Sequence, residues 1–146
     1  MEQKIIRKVG IAVFKDGHIL MARSKKNAEK FYFPGGKIEP GESDIACMQR
    51  EAREEISVGI IPESVLFLKE FEGPADGKDD SVRLVMRLYQ AELTGEPKPS
   101  SEIEELRYFD AVLDTKHLST IVTEQIFPWL EEQGLIRESM LELKSR

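Results

Sequence analysis

The chain has 146 residues, a net charge of −6 and a single cysteine, Cys47. This length suits one domain with its own core; the charge argues against nonspecific binding to a nucleic-acid polymer, and the lone cysteine excludes an internal disulfide and fits a reducing cytoplasm. No apolar run approaches the ~20 residues of a membrane span, and the opening MEQKIIRKVG alternates charged and apolar residues where a signal peptide would have an apolar core.

In chain order, Lys4 to Phe14 reads as a strand, with Val9, Ile11 and Val13 alternating. Asp16-Gly17 signals a hairpin containing His18, and Ile19 to Arg23 returns as a second strand. Ser24 to Lys30 is a charged loop. Phe31-Tyr32-Phe33 leads into a turn, Pro34-Gly35-Gly36-Lys37, whose paired glycines allow close backbone approach to a ligand. A helix runs from Ser43, its N-cap, to Ser57, with Asp44 in the first turn. Val65 to Phe71 is a strand, and Glu72 to Ser81 is a polar loop with Asp76, Asp79 and Asp80. Val82 to Leu93 is a long strand, Gly95 to Ser101 a Pro-rich loop, and Leu106 to Phe109 a short strand.

His117 reads as a helix-entry residue. The second helix starts at Ser119 and runs to about Gln133, stopped by Gly134. Ile121, Val122, Ile126, Trp129 and Leu130 form its docking stripe, and Pro128 either kinks it or marks a new helical start. Residues 1–136 make one domain, and 137–146 a charged tail. That tail either frays or packs Met140, Leu141 and Leu143 on a partner. Strands outnumber helices, which gives a mixed α+β domain.

The first helix carries the chemistry. Glu51, Glu54 and Glu55 stand at i, i+3 and i+4, so at roughly 100° per residue they share one face. Three like charges repel there. A hard cation removes that cost, and Mg²⁺ takes carboxylate oxygens while keeping several waters. The cluster reads as a metal site with positions left open for phosphate oxygens. Ile45, Met48, Ala52 and Ile56 form an apolar stripe opposite. Arg50 stands four residues before Glu54 and can pair with it. Cys47 lies beside the carboxylate face and reads as a small packing residue. The competing reading is a solvated acidic helix in a chain that is 33% charged.

The spacing around the cluster favours the metal site. Gly36, Glu42, Arg50-Glu51 and Glu54-Glu55 follow the pattern G-x5-E-x7-R-E-U-x-E-E-x-G-U, where U is bulky and apolar. This resembles the signature of the Nudix hydrolases. Ala52 replaces a larger apolar residue, and Ser57 stands where Gly is usual. If that exit needs a positive φ, Gly59 is positioned to take the turn instead. The resemblance covers roughly residues 5 to 133 and implies an α/β/α sandwich with a mixed central sheet. It also implies hydrolysis of a nucleoside diphosphate linked to another group X, with Mg²⁺, or Mn²⁺ as a substitute, activating water. The run FYFPGGKIEPGE resembles the MutT-like branch, which cleaves nucleoside triphosphates. ADP-ribose and dinucleoside polyphosphates are alternative substrates, and a nucleotide-sensing binding module is the non-enzymatic alternative.

By the same resemblance, Glu51, Glu54 and Glu55 bind metal, with Glu51 also serving as or helping the base, and the Gly35 carbonyl is a further ligand. Gly36, Glu42 and Arg50 are supporting residues, and Arg50 with Glu42 orients the carboxylates. Lys37 faces phosphate or a box carboxylate. Members of the family often take an acidic ligand or base from outside the box. Glu102 and Glu105 are the candidates, with Glu105 ahead because it lies nearest the strand; an exposed acidic loop is the other reading. Arg23, Lys25, Lys26 and Lys30 form either a phosphate-facing rim or a solvated loop. Phe31 either stacks on a base or packs in the core. The family is often dimeric, and the apolar residues of the tail allow a homodimer without requiring one.

Overall fold

The computed structural model describes residues 4–26, 30–75, 78–110 and 118–137. Asp76, His117, Met140, Leu141 and Leu143 lie outside the described residues, as does the tail from 138 to 146. Ten elements follow in order: β1 (Lys4–Ala12), β2 (Phe14–Lys15), β3 (His18–Ser24), β4 (Phe31–Tyr32), β5 (Gly35–Lys37), α1 (Asp44–Ile56), β6 (Leu66–Pro74), β7 (Val82–Gln90), β8 (Ile103–Phe109) and α2 (Phe127–Glu132). One mixed sheet runs β5-β1-β7-β6, with β1 and β7 parallel and the outer pairs antiparallel. In a second, antiparallel sheet β3 is flanked by β8 on one edge and by β2 and β4 on the other.

Strand alternation sorts the core into two layers. Val9, Ile11 and Leu20 join Cys47, Met48, Ala52 and Ile56 beneath α1. Ala12, Ile19 and Met21 face the other way, toward Leu118, Ile121, Ile126 and Leu130 at the C-terminal helix. The sheets therefore lie between two helical layers, the α/β/α arrangement implied by the sequence resemblance. Burying a side chain such as Met48 or Ile56 stabilises the docking of α1 by about 1.5–3 kcal/mol each.

Several expected boundaries move. The first strand breaks at Val13, where the chain crosses from one sheet to the other. Asp16 (φ 52°) and Gly17 (φ 78°) then make the two-residue hairpin turn into β3. The expected Pro34–Lys37 turn is instead a strand in which Gly35 pairs with Gly10. A Cβ on Gly35 would lie 2.1 Å from the Val9 carbonyl oxygen, so this glycine serves strand-to-strand approach. Glu72 to Pro74 extend β6 by pairing with the next strand, β7, and Ile103 to Glu105 belong to β8, which pairs with the distant β3. Ahead of Pro128, Val122–Ile126 forms a π-helical segment, and Pro128 occupies the first turn of α2 and so marks a new helical start. Gly134 follows at φ 75°.

Candidate active site

Helix α1 is set in place at both ends. At its start the Ser43 hydroxyl accepts from the Ala46 N–H at 3.1 Å. Asp44 accepts from Arg87 at 3.1 Å and from the Tyr89 hydroxyl, which ties the first turn to β7. At its end Ser57 itself adopts the left-handed conformation, φ 67°, and Gly59 is not needed for the turn. The Ser57 hydroxyl donates to the Lys98 carbonyl at 3.1 Å. Met48, Ala52 and Ile56 face the core as the periodicity predicts, but Ile45 is 43% exposed. Buried Cys47 stands in the stripe instead, because the docking face is turned toward β5, where the thiol meets the Gly36 and Lys37 carbonyls.

The opposite face of α1 borders a cleft of about 380 Å³ lined by Tyr32, Glu51, Glu54, Glu55, Ser101, Glu102 and Ile103. Glu54 is exposed at the mouth. Glu55 is half-buried, and its Oε1 accepts from the Gly35 N–H at 2.8 Å. Burial, with further push from Glu51 and Glu54, raises its carboxyl to about 8 despite that hydrogen bond. Burial also raises Glu51, against the pull of Arg50. Gly36 faces Glu51 so closely that an added Cβ would lie 2.8 Å from the carboxylate.

Arg50 organises the acids. Its guanidinium donates to both oxygens of Glu42, at 2.8 and 3.0 Å, and to Glu51 at 2.6 Å. Glu54, the partner expected from helical spacing, is 3.5 Å away and secondary. The Arg50 hydrogen bond pulls Glu42 down to about 2, and Arg50 itself is held more firmly protonated. Arg50 also reaches the Lys37 carbonyl at 3.2 Å, which joins the helix to β5. The Lys37 side chain is exposed.

Of the two acids expected from outside the box, Glu102 lines the cleft and Glu105 does not. Glu105 sits on β8, accepting from Arg23 at 2.9 Å and Arg107 at 2.8 Å, and these cations hold its carboxyl below the usual range. Pairing with β3 carries Glu105 into a cross-strand ion pair rather than into the cleft lining. Arg23 is correspondingly engaged by Glu105. Lys26 pairs with Glu102 at 3.2 Å, and Lys30 donates to the Leu118 carbonyl at 3.3 Å. Phe31 is 3% exposed and packs edge-on against Phe109 at 5.0 Å.

A second, largely apolar cavity of about 370 Å³ adjoins the cleft. Tyr32 lines both, and burial together with Glu55 pushes its phenol up to about 12. Ile6, Lys8, Phe33, Leu84 and Met86 contribute to the cavity, with Phe31 in its wall. Sequence reasoning named neither this cavity nor Lys8. The alternation of β1 puts Ile6 and Lys8 on one face. Their partners Leu84 and Met86 arrive only through the parallel β1–β7 pairing.

Among the described residues no three acidic, cysteine or histidine groups already converge on a metal position, since Arg50 holds Glu51 and Gly35 holds Glu55. The donor set is nonetheless suited to a hard cation: oxygen ligands, mutually repelling, with one carboxyl driven toward neutrality. Among the described residues no helix is long and apolar enough to cross a membrane.

Comparison with known proteins agrees with this architecture. The chain is 35% identical over 71 residues to the 8-oxo-dGDP phosphatase NUDT18 of Homo sapiens, covering 46% of this chain and 22% of that protein. It is 33% identical over 103 residues to the NAD-capped RNA hydrolase NudC of Stutzerimonas stutzeri (strain A1501), covering 68% and 34%. It is 36% identical over 58 residues to the CTP pyrophosphohydrolase of Escherichia coli (strain K12), covering 38% and 43%. The chain thus spans less than half the length of these curated relatives. A Chromobacterium violaceum protein described as a nudix hydrolase family member shares the fold at a TM-score of 0.72 and 20% identity, over 99% of this chain and 89% of that one. The MutT NUDIX hydrolase of Burkholderia pseudomallei does so at 0.61 and 23%, over 73% and 84%. The NUDIX domain model matches residues 4–130, and the chain belongs to that family.

Proposed function

We propose that the chain hydrolyses a phosphoanhydride bond in a nucleoside triphosphate, or in another nucleoside diphosphate linked to X, using Mg²⁺. The observation that carries this reading is the cleft lined by Glu51, Glu54, Glu55 and Glu102, which shares Tyr32 with an apolar cavity. Such a pair of compartments suits a ligand that joins a diphosphate to a planar ring. The curated relatives named above act, by name, on 8-oxo-dGDP, NAD-capped RNA and CTP, which supports the nucleotide class.

Glu51, Glu54 and Glu55, with the Gly35 carbonyl, are assigned to hold the cation, and Glu102 to complete the set from across the cleft. A bound Mg²⁺ supplies charge neutralisation on the diphosphate and lowers the pKa of a coordinated water. Arg50, anchored by Glu42, is assigned to fix the Glu51 carboxylate, and Glu51 to serve as or help the base as water attacks phosphorus. The exposed Lys37 is assigned to the phosphates. The single cysteine supports a cytoplasmic setting.

The test is a panel of nucleoside triphosphates, ADP-ribose and dinucleoside polyphosphates, incubated with Mg²⁺ and with product identification. Release of a nucleoside monophosphate from at least one member, largely abolished by Glu54→Gln, is the expected result. An active Glu54→Gln variant would remove the metal assignment. Failure of every substrate across pH and several metals would favour a nucleotide-binding module.

A further inference from the structure

We infer that the apolar cavity beside the cleft selects nucleobases presenting a carbonyl oxygen over those presenting an exocyclic amine at the same ring position. The inference rests on the nucleotide reading above and adds a specificity to it. The cavity is lined by two cross-strand pairs, Ile6 with Leu84 and Lys8 with Met86, two register positions apart on β1 and β7. Phe33 and Ile121 contribute further apolar surface. Such a slot suits the faces of a planar ring and does not distinguish one ring from another.

The discriminating groups are the lysines of the lining. Lys8, Lys30 and Lys78 line the cavity, and an ammonium only donates hydrogen bonds. Lys8 and Lys30 are half-buried. Lys30 spends one donor on the Leu118 carbonyl at 3.3 Å and keeps two more. Among the described residues lining the cavity there is no Asp, Glu, Asn or Gln side chain. The side-chain acceptors are the hydroxyls of Ser24, Tyr32 and Ser119, and Tyr32 is already hydrogen-bonded to Ser24.

A carbonyl oxygen that meets one of these ammoniums accepts a charge-assisted hydrogen bond. An amine at the same ring position meets a second donor and leaves both groups unsatisfied. Uracil and cytosine differ in this way at one ring position, and hypoxanthine and adenine at another; the adjacent ring nitrogen switches the opposite way, from N–H donor to acceptor, so the selection holds where the ammonium meets the exocyclic atom. Lys8 is the residue best placed to read that atom. It lies on the β1 face shared with Ile6 and, unlike the exposed Lys78, is half-buried in the cavity lining.

The experiment compares kcat/KM with Mg²⁺ for UTP against CTP and for ITP against ATP, together with the affinity of UMP against CMP by calorimetry. The expected result is a preference of about tenfold or more for the carbonyl partner in each pair, the scale of one hydrogen bond to a charged group. Lys8→Met should bring the UTP/CTP ratio toward one by lowering the UTP value; if that variant does not fold, the wild-type ratios decide alone. Ratios near one, or a preference for the amine partner, overturn the inference while leaving the hydrolase reading intact. If no nucleotide is hydrolysed, the hydrolase reading fails. The UMP/CMP affinity ratio then decides this inference separately, and equal or undetectable binding of both overturns it.

Discussion

The N–H of Gly35 donates to Oε1 of Glu55 at 2.8 Å, joining the first residue of β5 to a carboxylate twenty positions later on α1. The same glycine sits at φ 138°, with no room for a Cβ against the Val9 carbonyl. Strand pairing and carboxylate placement thus depend on one residue. Gly35→Ala is expected to destabilise the fold by about 3 kcal/mol or more, combining backbone strain with a lost close contact. Urea unfolding checks this, and an unchanged midpoint would show that β5 can move away without cost.

Arg50 bridges Glu42 and Glu51 through a planar fork that an ammonium cannot reproduce. Arg50→Lys is expected to lower kcat by roughly 10–100-fold, the range seen when groups supporting a metal ligand are altered. Circular dichroism should stay native. A variant with full activity would show that Glu51 needs no guanidinium to be placed.

Glu55 titrates near 8 in the folded chain against an ordinary value of 4.5. Between those values the folded chain holds a proton that the unfolded chain releases. This group therefore lowers the stability of metal-free protein as pH rises through that window. Added Mg²⁺ should raise the melting temperature more at pH 8 than at pH 6, because the carboxylate must be ionised to bind it. Glu55→Gln should flatten both dependences in a thermal-shift series. An Mg²⁺ effect independent of pH would exclude Glu55 as a ligand.

Glu102 lines the cleft, whereas Glu105 is neutralised by Arg23 and Arg107. Glu102→Gln is expected to reduce kcat by about tenfold or more, and Glu105→Gln to leave it within about twofold while costing some stability. Steady-state kinetics on the two variants would reverse the assignment if Glu105→Gln proved the more damaging.

Ser57 ends α1 at φ 67°, a conformation that strains a side chain. Ser57→Gly should stabilise the protein by about 0.5–1 kcal/mol, less whatever the exposed hydroxyl contact to Lys98 contributes. Chemical denaturation measures the difference. A destabilised variant would give that contact the larger share.

The helix and its acid face were legible because their information is contiguous: thirteen residues carry the period, the cap and the charge spacing. The Asp16-Gly17 hairpin was legible for the same reason. What failed depends on partners far along the chain. Glu105 reads as a loop acid until β3 arrives beside it, and Gly35 as a turn until β1 does. Lys8 joins a cavity lining only when Met86, 78 positions away, pairs beside it. Ile45 shows the limit of periodicity itself, which gives a stripe but not the rotation of the helix on its sheet.

Cys47 is fully buried on the inner face of α1, and burial pushes its thiol up to about 12. At neutral pH almost none of it is thiolate, the form that reacts. A thiol reagent can reach it only when α1 lifts from β5. With no other cysteine in the chain, the rate of labelling is a direct clock for the opening of the helix that carries the site, and a ligand that clamps that helix should slow it.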